Sequence, residues 1–157
     1  MYLDSIVGAK RSELARTFDA VALNRLANHP SVRPTCGGDG SSPLDFSGFA
    51  ADERNHALVW ERGAILFSWS APFTYEAHVM VLPSGRGADA YRMASEAMDY
   101  IIAAGAERVW GRVSNDAVRH YIVHAGFTKC GEDILNIGFG PVRYDLYQWK
   151  MPCLPQS

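Results

Sequence analysis

Val79-Met80-Val81-Leu82-Pro83-Ser84-Gly85-Arg86-Gly87-Ala88-Asp89-Ala90-Tyr91 is the stretch on which the fold turns. An apolar, β-branched run predicts a strand over residues 75–82, and Pro83 ends it. Two glycines then mark a tight turn. Beyond the turn, Ala90, Met93, Ala94, Ala97, Met98 and Ile101 recur at helical spacing. They predict a buried stripe on a helix running to residue 104, with Gly105 at its C-terminal stop. Arg92 and Glu96 lie off that stripe as an i,i+4 pair. Arg-Gly before a helix is by itself an ordinary turn, so the case rests on what lies around it.

Downstream, residues 107–113 read as a strand. Asn115 then caps a short helix to residue 125, with Val118, Tyr121, Ile122 and Ala125 on one face and Gly126 as the stop. Residues 127–131 and 142–150 read as strands, the second alternating Val142, Tyr144 and Leu146 against Arg143, Asp145 and Tyr147. Upstream, residues 55–61 and 64–70 form a hairpin about Arg62-Gly63, with Ile65, Phe67 and Trp69 on one face. Residues 31–52, rich in Gly, Ser and Pro, form a long loop of the kind that is often functional. Residues 13–27 carry Leu14, Phe18, Val21 and Ala22 at helical spacing, with Ser12 as N-cap, and predict a first helix that stops at Pro30. Residues 152–157 form a loosely held tail.

The 157 residues suit one domain, and a hydrophobic fraction of 48% suffices for its core. A net charge of −2 with scattered Lys and Arg gives no nucleic-acid or anionic-membrane footprint. Cys36, Cys130 and Cys153 are odd in number and lack metal-ligand spacing, so free thiols in a reducing compartment are expected. His120 and His124 stand four apart on a helix, but no third ligand follows, and no metal is expected. Met1-Tyr2-Leu3-Asp4-Ser5 holds no signal-peptide pattern, so a cytoplasmic location is expected.

Two signatures in this order, with strands between them, resemble the GNAT superfamily of N-acetyltransferases. The first is the loop at Arg86-Gly87. In that family a pattern Arg/Gln-x-x-Gly-x-Gly/Ala holds the pyrophosphate of coenzyme A. Here Arg86 and Gly87 match, while Asp89 stands where glycine is expected and Tyr91 where glycine or alanine is expected. The second signature is Asn115 to Gly126-Phe127, whose helix lies beside the cofactor's pantetheine and thiol end. The resemblance covers residues 57–150. It implies an α/β (α+β) fold with a mixed, mostly antiparallel sheet of six to seven strands and helices on both faces. More narrowly, His29-Pro30-Ser31-Val32-Arg33-Pro34 and Tyr75-Glu76-Ala77-His78 look like phage-encoded GNAT-like proteins.

The resemblance further implies acetyl-CoA as cosubstrate and direct attack by an amine acceptor of unknown kind, a small molecule or a protein. Arg86, Gly87 and Ala88 would hold the pyrophosphate, the backbone of Val79 and Val81 the pantetheine arm, and Asn115 would cap the helix beside it. Glu76 and His78 share a strand face and are the candidates for the base, the carboxylate being expected to raise the imidazole pKa toward neutral. The family's acid position falls on Ile122, so Tyr121, about 100° away around the helix, is the residue left for that role. The alternative is a GNAT-like module without catalysis, acting in virion assembly or host interaction, in host cytoplasm or virion, alone or as a homo-oligomer.

Overall fold

The computed structural model of the chain describes residues 13–38, 40–136 and 140–153. Among these residues, seven strands lie in one sheet in the order β1-β2-β3-β4-β5-β7-β6. They are β1 (Ala15–Thr17), β2 (His56–Trp60), β3 (Gly63–Ala71), β4 (Thr74–Val81), β5 (Arg108–Val113), β6 (Thr128–Asn136) and β7 (Pro141–Lys150). The helices are α1 (Ala20–Ala27), α2 (Ser47–Ala51), α3 (Ala88–Ala103) and α4 (Asp116–His124). Every strand pair is antiparallel except β4 with β5. The mixed sheet with helices on both faces is the architecture the sequence predicts.

The N-terminal segment departs from expectation. Residues 15–17 pair with β2, and the helix begins at Ala20, because Asp19 caps it. The Asp19 carboxylate accepts the N–H groups of Val21 (2.9 Å) and Ala22 (3.2 Å), satisfying two of the orphan donors of the first turn. Phe18 and Val21 are exposed, and Leu23 and Ala27 are the fully buried residues instead. Ser12, the expected cap, lies outside the described residues, as do residues 154–157 of the expected tail. Within residues 31–52, a 3-10 turn (Arg33–Thr35) and α2 interrupt the predicted loop. The β2–β3 turn is Glu61-Arg62, since Trp60 already pairs with Gly63. Strand β6 extends to Asn136, past the predicted end at residue 131.

Two cores sit on opposite sheet faces. Odd β4 residues Tyr75 and Val81, with Ile65 and Phe67 of β3, pack under Met93, Ala97 and Ile101 of α3, the stripe the sequence predicts. Even residues of the same strands, Met80 and Leu66, pack under Leu23 and Ala27 of α1. Burying a side chain such as Phe67 (1% exposed) contributes about 1.5–3 kcal/mol. Strand β7 turns Tyr147 and Trp149 to the α3 core, whereas Tyr144 faces the other side.

Strands β4 and β5 pair only from Thr74↔Arg108 to Glu76↔Trp110. Beyond Glu76 the ladder stops and the two strands part. The register shows which groups face the gap. Leu82 donates its N–H to the Arg62 carbonyl (2.8 Å), so even residues of β4 bond β3. By the alternation of an antiparallel ladder, Ala77, Val79 and Val81 turn their N–H and C=O toward β5.

Candidate active site

Two cavities meet at this parting. A cleft of about 440 Å³ opens on the α1 side of the sheet. Its polar wall carries Ser68, Glu76, His78, Arg112, Asn115 and Tyr144, and its apolar wall Leu44, Phe46, Phe49, Leu66 and Met80. A smaller slot lies on the other face, between β4 and helices α3 and α4. It is lined by Ile65, Phe67, Ala94, Tyr121, Ile122 and Phe127. Ala77 and Val79 border both cavities.

Glu76 and His78 share the cleft face, as two residues two apart on a strand must. His78 Nε2 lies 3.7 Å from Glu76 Oε1. The same oxygen accepts from Arg112 Nη1 at 2.6 Å, and Arg112 Nε donates to Asp133 Oδ2 at 3.1 Å. Arg112, on β5, is the residue the sequence reading missed. Its guanidinium bridges carboxylates on β4 and β6, on either side of β5 and β7, and stacks 4.9 Å from the Trp110 ring centroid. The one local signal is β5's alternation: Arg108, Trp110 and Arg112 against buried Val109, Gly111 and Val113.

The expected rise in the His78 pKa is reversed. Burial in the concavity is the largest influence and lowers it below 6.5; the Glu76 carboxylate opposes this, and the Arg112 charge adds to it. The ring still opens on the cleft, with 48% of its side chain exposed. The imidazole is therefore neutral at pH 7 and can accept a proton.

Tyr121 is not part of this group. It lies on the slot side, where its hydroxyl accepts the Gly87 N–H at 2.8 Å and its ring sits 4.5 Å from that of Tyr91. The loop before α3 takes the predicted form, with Gly87 at φ +106° in the N-cap position. A Cβ there would meet nothing within 4 Å, so the backbone is open to an approaching group. Ala88 begins α3, whose first-turn N–H groups lack intrahelical partners. The Arg86 side chain departs from its expected role. It folds back onto the carbonyls of Val81 (3.4 Å) and Ser31 (3.1 Å), because the buried strand end and the loop after α1 offer acceptors within reach. Asp89 pairs with Arg92 through Oδ1 (3.1 Å), and its Oδ2 is buried without a partner. Val79 and Val81 lie where their backbone groups face the parting. Asn115 Oδ1 caps α4 by accepting the Val118 N–H at 2.9 Å.

An ordered segment roofs the cleft. Arg33, 7% exposed, donates to the carbonyls of Ser42 (2.8 Å) and Gly37 (2.7 Å). Asn28 exchanges two hydrogen bonds with the Leu44 backbone, at 2.8 and 2.7 Å. Cys36 lines the cleft as a thiol, its pKa raised by burial. Cys130 and Cys153 are exposed and unpaired. Among the described residues, no three His, Cys, Asp or Glu converge as a metal site, and no helix is long and apolar enough to cross a membrane.

The fold is shared with solved acetyltransferase structures. The Salmonella typhimurium protein yncA, solved with its cofactor acetyl-CoA, superposes with a TM-score of 0.75 at 18% identity, over 94% of this chain and 98% of that one. An N-acetyltransferase from Staphylococcus aureus Mu50 gives a TM-score of 0.72 at 18% identity, over 90% and 99% of the two chains. Spermidine N-acetyltransferase from Vibrio cholerae, in complex with CoA and spermine, gives 0.68 at 14% identity, over 88% and 93%. The fold is thus the GNAT fold. No protein-family model and no curated protein sequence matches the chain.

Proposed function

We propose that the chain is an N-acetyltransferase that joins an acetyl group from acetyl-CoA to an amine. The observation that carries this is the meeting of two cavities of unlike polarity at Ala77 and Val79, where β4 parts from β5. The slot is apolar, and Tyr121 on its wall is the partner of the Gly87 N–H, so an alkyl-amide arm laid along it would lead toward that loop. The cleft sets Glu76 and His78 on one wall against an apolar wall, which suits an amine. Two reactants can thus approach one strand from opposite faces, which turns a bimolecular encounter into a positioned one.

The residues present fit the cosubstrate in most respects. The first-turn amides of Ala88 and Asp89 would hold a pyrophosphate, and Gly87 leaves the space for it to approach. Backbone groups of Val79 and Val81 would hold the arm. When bound, acetyl-CoA supplies an activated acetyl thioester. Neutral His78 takes the proton from the acceptor's ammonium, and Glu76 stabilises the imidazolium so formed. Glu76 itself is held by Arg112 and acts as the orienting charge rather than the first base. Tyr121, accepting from Gly87, keeps its own hydroxyl proton for donation into the slot.

A second reading, a GNAT-fold binding or assembly module without catalysis, phage-encoded or not, is favoured by three contacts. Arg86 is engaged by backbone carbonyls, Tyr121 occupies the Gly87 N–H, and Asp89 places a carboxylate in the first turn of α3. Thermal unfolding with acetyl-CoA separates the two. Ligand at 100 times its Kd adds about 2.7 kcal/mol of stability. A rise in Tm with acetyl-CoA is the expected result. No rise at millimolar acetyl-CoA would leave the binding-module reading.

A further inference from the structure

The cleft says more about its occupant than that it is an amine. Among the described residues its lining holds one carboxylate, Glu76, whose Oε1 is already shared by Arg112. Among the described residues no hydrogen bond reaches Glu76 Oε2. The next carboxylate, Asp133, is bound to the other side of Arg112. The cleft therefore has one free anionic oxygen, and so a place for one ammonium group. Opposite it stands an apolar wall built on Phe46 and Phe49, whose rings meet edge to face at 6.1 Å, with Leu44 and Leu66 beside them. This wall is fixed in place. Asn24 Oδ1 accepts the Phe46 N–H at 2.7 Å, and Asn28 grips Leu44.

We infer that the acceptor is a small monoamine with an aromatic or branched apolar body: its ammonium on Glu76 and its body against Phe46 and Phe49. This rests on the transferase reading for the reaction, though not for the binding. A polyamine would bring a second and third cation into a lining whose described residues offer no further carboxylate, and each would lose its hydration uncompensated. An amino acid would bring its own carboxylate beside Glu76, and Arg112, its natural partner, is already bonded to Glu76 and Asp133. The two rings present a face and an edge, so an aromatic body gains packing there beyond the area it buries. Spermine, found in the Vibrio cholerae relative of this fold, is thus not the acceptor expected here.

The test uses the full chain with 2-phenylethylamine, butylamine, spermidine and phenylalanine as probes. Isothermal titration without acetyl-CoA reads binding, and coupled thiol release with acetyl-CoA reads transfer. Phenylethylamine is expected to bind at least tenfold more tightly than each of the other three. Glu76→Gln and Phe49→Ala should each weaken it about tenfold, with Phe49→Leu recovering part of the loss and so reporting packing rather than misfolding. Spermidine or phenylalanine binding as well as phenylethylamine, butylamine matching it, or no binding by any probe would each overturn the inference. Tight phenylethylamine binding without transfer would leave the acceptor class standing and remove the transferase reading. Transfer confined to spermidine would do the reverse.

Discussion

The hydroxyl of Tyr121 on α4 accepts the backbone N–H of Gly87 ahead of α3, at 2.8 Å. One helix thereby sets the shape of the loop that starts another. Tyr121→Phe keeps the ring and removes the bond, so it should cost about 0.5–1.5 kcal/mol of stability. The Gly87 amide should exchange with solvent faster in the variant. An unchanged exchange rate would mean that this bond does not hold the loop in solution.

Gly85 is confined from the other direction. A Cβ there would lie 2.6 Å from Arg62 Cβ and 3.1 Å from the Arg62 carbonyl, so the β2–β3 turn leaves no room for one. Gly85→Ala should destabilise by about 1–3 kcal/mol through overpacking. Chemical denaturation measures it, and a cost well under 0.5 kcal/mol, on the order of an ordinary surface change, would show that the turn yields easily.

Asp89 should move stability and affinity in opposite senses. Its carboxylate favours the helix start by about 0.3–1 kcal/mol, and Asp89→Asn gives that up. The same change removes a negative charge from the expected pyrophosphate site. Acetyl-CoA should then bind about tenfold more tightly, equivalent to about 1.4 kcal/mol. Equal Kd values by titration would place Asp89 outside the donor site.

The lowered pKa of His78 fixes two signs. Its ring sheds its proton below pH 6.5, so the acid limb of the rate profile should fall below that of free imidazole, and His78→Gln should lose the limb together with most of the rate. The unfolded chain binds this proton more readily than the folded chain does. Stability is therefore full above pH 6.5 and declines as pH falls from there toward the folded-state pKa. His56, lowered by burial and by Arg16, contributes with the same sign. A Tm that rose on acidification through this range would contradict both assignments.

Much of the fold was legible because pattern and tertiary role coincide from β2 onward. The α3 stripe and the Asn115 cap are local facts, and the sheet follows from their order. Residues 13–27 misled because Leu14, Phe18, Val21 and Ala22 match a helical period by accident, while the Asp19 carboxylate begins the helix later. The length of β6 was hidden because an edge strand with both faces wet shows little apolar alternation. Glu76 and His78 could be paired from strand parity alone. Arg112 could not, since its partners lie 36 and 21 residues away and meet it only once β4, β5 and β6 are assembled.

The parting of β4 from β5 also bears on how this protein could be redesigned. Among the described residues, the cleft and the slot have only Ala77 and Val79 in common. Substitutions at Phe46, Phe49 or Leu44 would reshape one chamber without touching the other, and changes at Ala94 or Ile122 would do the converse. Selectivity for each reactant is therefore separately adjustable, and libraries built on the two walls can be screened apart and then combined with little cross-talk.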